Sequence, residues 1–355
     1  MTRRIPVARA EEQVRAVLTT WGMPDDAVEV TVTAMLYADR SGIDSHGIGM
    51  LSTYLGHREA GHLDAAARPE VVRETPAIAV VDARNGLGHP AAVHAMRLAV
   101  DKARTVGIGA ASVVNSRHFG ATGYYARLAA SEGLVGLVTT STFTTAVVPT
   151  GGATSRLGTN PIAFAAPTPS GEPFVLDMST SVTAANKVRV YQRTGTPLPD
   201  GWVVDEAGRS INDPDLALHY LRKRDVGGLV PVGGDVGGHK GYGLAAMVQI
   251  LSASLSGADH GMTRPAGARP NIGHFLLAMD PAVFRPDGGY GESVDDLLGA
   301  LRATPPADGT PVRVAGDPEA AARTERDRDG IPFPAALLDE IKDVCARSGA
   351  PYLLG

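Results

Sequence analysis

From Ala77 onward the chain alternates short apolar runs with amphipathic stretches, and this alternation is what most constrains its fold. Ala77-Ile78-Ala79-Val80-Val81 reads as a strand, and Ala91 to Val106 as an Ala-rich amphipathic helix. Ile108 to Val114 reads as a second strand, Tyr124 to Ser131 as a second helix and Leu134 to Thr139 as a third strand. Strands separated by helices of this length predict α/β layering. Upstream, residues 8 to 40 read as two helices broken at Gly22-Met23-Pro24, with Asp25 expected to cap the second. Arg58 to Arg73 reads as a polar connection. Downstream, Gly195 to Asp235 is rich in Pro, Asp and Arg and predicts an irregular surface excursion. Gly241 to Leu255 predicts an apolar helix, Phe275 to Met279 a strand, and Pro334 to Ser348 a closing helix. The charge-dense stretch from Glu319 to Asp329 reads as a solvated face. The expected organisation is an N-terminal helical segment, 1–75, packing with a C-terminal segment, 315–355. Between them lies a core, 76–314, that carries the excursion 195–235.

Composition narrows the class. A chain of 355 residues with 44% hydrophobic and 20% charged residues buries a large core and is globular, not disordered. A net charge of −5 implies no basic surface for nucleic acid. The single cysteine, Cys345, excludes an intramolecular disulfide and fits a reducing compartment. No apolar h-region follows Arg3-Arg4, and no run approaches the ~18 to 20 apolar residues of a membrane span. The expectation is a cytoplasmic protein that binds neither nucleic acid nor membrane.

Several familiar motifs fail. Gly86-Leu87-Gly88-His89-Pro90 has Ala91 where a dinucleotide fingerprint requires its third glycine, and a proline in the turn. Gly233 to Gly238 has P-loop spacing, but His239 stands where the lysine belongs. No H-E-x-x-H, cysteine pair or G-x-S-x-G is present, so neither a zinc site nor a serine nucleophile elbow is expected. What remains is a set of polar loops. Arg40-Ser41-Gly42-Ile43-Asp44-Ser45-His46-Gly47-Ile48-Gly49 puts an imidazole beside a hydroxyl in a Gly-flanked turn, which suits proton exchange with a substrate. Asn115 to Ala121, Leu157-Gly158-Thr159-Asn160-Pro161, Leu176 to Ser181 and Gly238-His239-Lys240-Gly241 each sit at a strand or helix end. Singly, each reads as a cap or turn; together they point to a phosphate-rich ligand facing His46.

In this order, these segments and Asn271-Ile272-Gly273-His274-Phe275 resemble the malate/L-lactate/L-sulfolactate dehydrogenase family, the type 2 malate dehydrogenases. That family also includes ureidoglycolate dehydrogenase and piperideine-2-carboxylate reductase. The resemblance implies a non-Rossmann nicotinamide-binding α/β fold with a mixed, largely antiparallel central sheet, and a homodimer. It implies NAD or NADP as cofactor and a small-molecule substrate. It also implies that His46 is the acid/base, oriented by Ser45, with His118 as a second candidate. His118-Phe119-Gly120, Thr140-Ser141, Asp177-Met178-Ser179 and His239-Lys240 would hold the dinucleotide, and Gly316-Asp317 would close over it. Thr159, Asn160 and Tyr54 would border the substrate. A cyclic-imine reductase and a cofactor-binding pseudoenzyme are the alternatives.

One position departs from the pattern. The resemblance places an arginine, which grips the substrate carboxylate, where this chain has Met50. A methionine makes no charge-assisted pair, a loss worth ~1.5 to 3 kcal/mol to an ordinary 2-oxo acid. The expectation is a less polar pocket taking a larger or less charged substrate than lactate or malate. Arg58 and Arg117 are the first residues to consider as replacements.

Overall fold

The computed structural model describes residues 2–142, 144–223, 226–264 and 267–355. Arg224 and Asp225, within the expected excursion, lie outside the described residues. The chain opens with β1 (Thr2–Ile5), α1 (Val7–Thr20) and α2 (Asp25–Arg40). Pro24 occupies the cap position of α2, which puts Asp25 in the first helical turn and not at the cap. There its carboxylate still meets the positive helix end. A single 3₁₀ turn, Ile48–Met50, leads directly into α3 (Leu51–Glu59).

The central layer follows as β2 (Glu70–Glu74), β3 (Ile78–Asp82), α4 (Gly88–Val106), β4 (Ile108–Ser116), α5 (Thr122–Ser131), β5 (Val135–Thr140), β6 (Ile162–Ala166) and β7 (Phe174–Met178). Next come α6 (Ala185–Thr194), β8 (Val203–Val204), α7 (Pro214–Lys223), β9 (Gly228–Leu229), α8 (Gly234–Gln249) and β10 (Ile272–Met279). The chain closes with α9 (Pro281–Phe284), α10 (Tyr290–Arg302), α11 (Asp317–Asp329), β11 (Ile331–Pro334) and α12 (Ala335–Ser348).

Seven strands form the main sheet in the order β2-β3-β4-β10-β5-β6-β7. β3 and β4 pair in parallel across α4, and every other pair is antiparallel. β4 and β5 also run in the same direction across α5, as helical crossovers require. They are not neighbours, because β10 inserts between them, antiparallel to both. The mixed, largely antiparallel sheet is therefore present, and the local β-α-β alternation is real without producing a parallel sheet. The Ala-rich faces of α4 and α5 pack on this sheet with Val81, Val113, Val138 and Leu276.

The two chain ends share a second core. β1 pairs antiparallel with β11, and Val14, Leu18, Met35, Leu51, Phe333, Ile341 and Val344 belong to one buried cluster. Glu319 to Asp329 is part of α11 and is not merely a solvated face. Arg326 pairs with Asp44, and the Arg323 guanidinium lies 5.6 Å over the Tyr37 ring. Arg58 to Arg73 holds the end of α3 and the start of β2 as well as connection.

The excursion is also more ordered than its composition predicts. It contains α7 and the β8–β9 pair, and Leu198, Val203, Ile211, Leu218 and Leu229 form part of a third small core. Outside α7 the apolar residues are scattered among Pro and Asp, and they converge only once the loop folds back. α8 begins seven residues before the expected Gly241, at Gly234. Its Gly-rich first turns permit close packing: a Cβ at Gly241 would stand 2.2 Å from the Val232 carbonyl oxygen. Among the described residues, no helix is long and apolar enough to cross a membrane.

Candidate active site

His46 sits in the short loop between α2 and the 3₁₀ turn, half-buried. Three contacts set the shape of that loop. Asp39, buried on α2, accepts a hydrogen bond from the Ile48 N–H at 2.7 Å. Asp44 pairs with Arg326, which also donates to the Asp39 backbone oxygen. Gly47 passes so close to Asp39 that no side chain fits there. Burial pushes the Asp39 carboxyl up to about 8, against the opposing pull of the Ile48 N–H. Asp39 carried no sequence signal, because a carboxylate on an apolar helix face is unremarkable until the loop folds onto it.

The Ser45 hydroxyl lies 2.7 Å from His46 Nδ1. Burial lowers the His46 pKa to about 4, so the imidazole is neutral at pH 7. The His118 ring stacks beside it at 5.5 Å between centroids and 24° between planes. Its Nδ1 lies 2.7 Å from the Tyr54 hydroxyl and accepts from the Gly120 N–H at 3.3 Å. Acceptance at Nδ1 leaves the proton of a neutral ring on Nε2. Burial and the neighbouring histidines hold His118 well below its usual pKa. Tyr54 is buried beneath His118 and is not among the residues lining the cavity, so it supports a histidine instead of covering a substrate. His89 lies edge-on to Tyr54 at 5.8 Å, and neither of its ring nitrogens has a hydrogen-bond partner among the described residues.

His46, His118, Phe119, Gly120, Thr140, Ser141, Thr159 and Met50 line one cavity of about 280 Å³. Phe119 is fixed by stacking, 4.6 Å from Tyr125 on one side and 4.4 Å from His274 on the other. His274 is a further residue that the sequence did not single out for a role. From β10 its Nδ1 reaches Thr140 Oγ1 at 2.6 Å and its Nε2 reaches Ser116 Oγ at 2.7 Å, which ties the ends of β5 and β4 together. The Thr140 hydroxyl is spent on His274 and the Ser141 carbonyl, and the Ser141 hydroxyl on the Gly273 carbonyl and N–H.

The remaining expected residues lie elsewhere. Asn160 is buried and does not line the cavity; its Nδ2 donates to Ala245 O and Gln249 Oε1, both at 2.9 Å. Asp177 and Met178 lie on the edge strand β7, followed by Ser179, outside the cavity lining. Asp177 accepts the Gly123 N–H at 2.7 Å at the start of α5. His239 and Lys240 are exposed on the early turns of α8 and also stand apart from the cavity lining. Gly316 caps α11 beside the same edge strand, where Val175 N–H donates to Ala315 O at 3.3 Å. Asp317 is held by Arg302 at 2.7 and 3.0 Å.

Neither Arg58 nor Arg117, expected as carboxylate-binding candidates, reaches the cavity. Arg117 is buried and donates to the His62 and Ser116 carbonyls at 2.6 and 2.8 Å, to the Pro270 carbonyl and to Asn85 Oδ1. Its fork is consumed by backbone, and burial lowers its pKa to about 10. Arg58 is exposed at the end of α3 and does not line the cavity. The cavity does contain an arginine that sequence reading passed over, Arg189 of α6. No acidic side chain is among the described lining residues, so the walls suit an anionic substrate.

The chain is 37% identical over 349 residues to a (2R)-3-sulfolactate dehydrogenase (NADP(+)) of Chromohalobacter salexigens, covering 96% of this chain and 98% of that one. It is 35% identical over 356 residues to a malate dehydrogenase of Pyrococcus abyssi, covering 99% and 96%. The crystal structure of malate dehydrogenase from Entamoeba histolytica superposes with a TM-score of 0.93 at 30% identity, covering 99% of both chains. With residues 5–342 matching its pattern, this chain belongs to the malate/L-lactate dehydrogenase family.

Proposed function

We propose that this protein is an NAD(P)-dependent oxidoreductase that interconverts a 2-hydroxy acid and the corresponding 2-oxo acid. The observation that carries the reading is a pair of neutral imidazoles, each with a fixed hydroxyl partner, facing a cavity with no acidic side chain among its described lining residues. A bound nicotinamide supplies or accepts the hydride. His46 takes the proton of the substrate hydroxyl in the oxidative direction and returns it in the reductive one, with Ser45 holding the ring in register. His118 packs against His46 and, with Tyr54 fixing its tautomer, presents an Nε2–H donor to a substrate oxygen. The Phe119-Gly120 loop, Asp177-Met178-Ser179, His239-Lys240 and Gly316-Asp317 are assigned to the cofactor. Thr159 is assigned to the substrate.

A homodimer is part of this reading. α8 and the turn after it expose Val236, Tyr242, Leu244, Met247, Ile250 and Leu255, an apolar face that a lone chain leaves in water. The test is oxidation of NADH and of NADPH against a panel of 2-oxo acids, cyclic imines and bulkier ketones. Turnover confined to 2-oxo acids supports the reading. Turnover confined to imines identifies an imine reductase, and cofactor binding without turnover of any class identifies a binding protein.

A further inference from the structure

Arg189 lines the same cavity as His46, Met50 and His118, and it is the only side chain of fixed charge among the described lining residues. It is half-buried, and its Nη1 donates to Thr53 Oγ1 at 3.3 Å. Among the described residues no carboxylate pairs with it. Glu340, whose charge reaches Arg189, is engaged by Arg193 through both oxygens at 2.8 and 2.6 Å. Burial and the neighbouring Arg193 lower the Arg189 pKa, yet a guanidinium stays protonated at any physiological pH. The folded chain thus holds an unneutralised positive charge on a cavity wall, an arrangement that is unfavourable until an anion meets it.

The register is informative. Asn186 and Arg189 lie three residues apart on one face of α6, as Met50 and Thr53 do across the 3₁₀ turn and α3. Asn186 Nδ2 donates to Met50 Sδ at 3.2 Å, and Arg189 reaches Thr53. The two ridges therefore meet pair by pair, and Arg189 stands one turn along the cavity wall from position 50. The rest of the described lining mixes apolar residues (Met50, Ala146, Ala184, Ala185 and Ile272) with hydroxyls (Thr53, Thr140, Ser141, Thr142, Thr144 and Thr159) and holds no second fixed charge.

We propose that Arg189, reaching in from α6, is the residue that grips the substrate carboxylate in this chain, in place of the arginine that the family resemblance places at position 50. One fixed charge, with no second cation among the described lining residues, selects a monocarboxylic 2-oxo acid over a dicarboxylate. This inference rests on the oxidoreductase reading above.

The test compares pyruvate, 4-methyl-2-oxopentanoate and oxaloacetate with the intact protein and its variants, using whichever reduced nicotinamide the intact protein oxidises. The intact protein should favour the two monocarboxylates in kcat/KM. Arg189→Met should lose on the order of 10- to 100-fold in kcat/KM, carried mainly by KM, which is the scale of one charge-assisted pair. Its thermal shift on binding cofactor alone should be unchanged. Arg189→Lys keeps the charge without the fork and should lose less, and it remains readable if the methionine variant does not fold. Met50→Arg in the Arg189→Met background should restore binding from the other wall. An Arg189→Met or Arg189→Lys protein with undiminished kcat/KM overturns the proposal and leaves the oxidoreductase reading intact. Preference for oxaloacetate overturns the substrate class. An intact protein that oxidises neither nicotinamide with any acid overturns both readings together.

Discussion

A Cβ placed on Gly47 would stand 1.8 Å from Asp39 Oδ1, while Asp39 Oδ2 accepts the neighbouring Ile48 N–H at 2.7 Å. The loop that carries His46 is therefore seated directly on a buried carboxyl of α2. Gly47→Ala forces one of the two apart. It should destabilise the protein by roughly 2 to 4 kcal/mol, the range for overpacking combined with a disturbed buried polar contact. Urea denaturation with an unchanged m-value measures it. Loss of under 0.5 kcal/mol would show that the loop lifts away from α2 without cost.

The same carboxyl has a pH signature. Its folded-state pKa, raised to about 8, lies above the ~3.9 of an unfolded aspartate, so the native state binds the extra proton between those values. Stability from this group is complete below about pH 4 and is lost as pH rises toward 8. Asp39→Asn cannot ionise and should flatten the alkaline side of a Tm-against-pH curve from pH 6 to 9. A parallel decline in both proteins would place the titrating group elsewhere.

Three histidines act with the opposite sign. His46 is lowered to about 4, and His89 and His274 to about 3, all by burial. Unfolded histidines bind protons below ~6.5 while these remain neutral, so their contribution is present above ~6.5 and is lost as pH falls toward 4. Acid unfolding should begin near pH 6, and His274→Asn should reduce its steepness between pH 6 and 4. An unaltered slope in a folded variant would remove His274 from the account.

Catalysis follows the same titration. A neutral His46 is already the form that accepts a proton, so kcat/KM for oxidation of the hydroxy acid should rise through about pH 4 and stay level across neutrality. Reduction needs the protonated ring, and its kcat/KM should fall about tenfold per pH unit above that point. His46→Ala should lower turnover by roughly 100-fold or more, with the cofactor-induced thermal shift retained. Near-full turnover in that variant would move the proton-carrying role to His118.

Cofactor binding gives a prediction independent of turnover. NADH or NADPH at 100 times its Kd should stabilise the folded protein by about 2.7 kcal/mol through mass action. Lys240→Ala should weaken that shift by raising Kd, because the lysine is exposed on a Gly-rich helix start and is assigned to the cofactor. Equal shifts in both proteins would take Lys240 out of the site.

Much of the local structure was legible from residue order. The runs around Ala77 to Thr139 are strands and helices to within a few residues, because period and apolar content decide such elements locally. The Ser45–His46 pair was legible too, since adjacent residues in a Gly-flanked turn need no distant partner to meet. Only tertiary structure decided what required residues far apart to converge. β10 enters between β4 and β5 and turns an apparent parallel alternation into a mixed sheet. Asp39 becomes the seat of the His46 loop only when that loop folds back onto α2. Arg117 looked available in sequence and is spent on backbone carbonyls, whereas Arg189, in a polar helix with no motif around it, faces the cavity. The physical reason is common to these cases. Hydrophobic periodicity is written along the chain, but the destination of a charge depends on which unpaired donors and acceptors the packed core leaves within its reach.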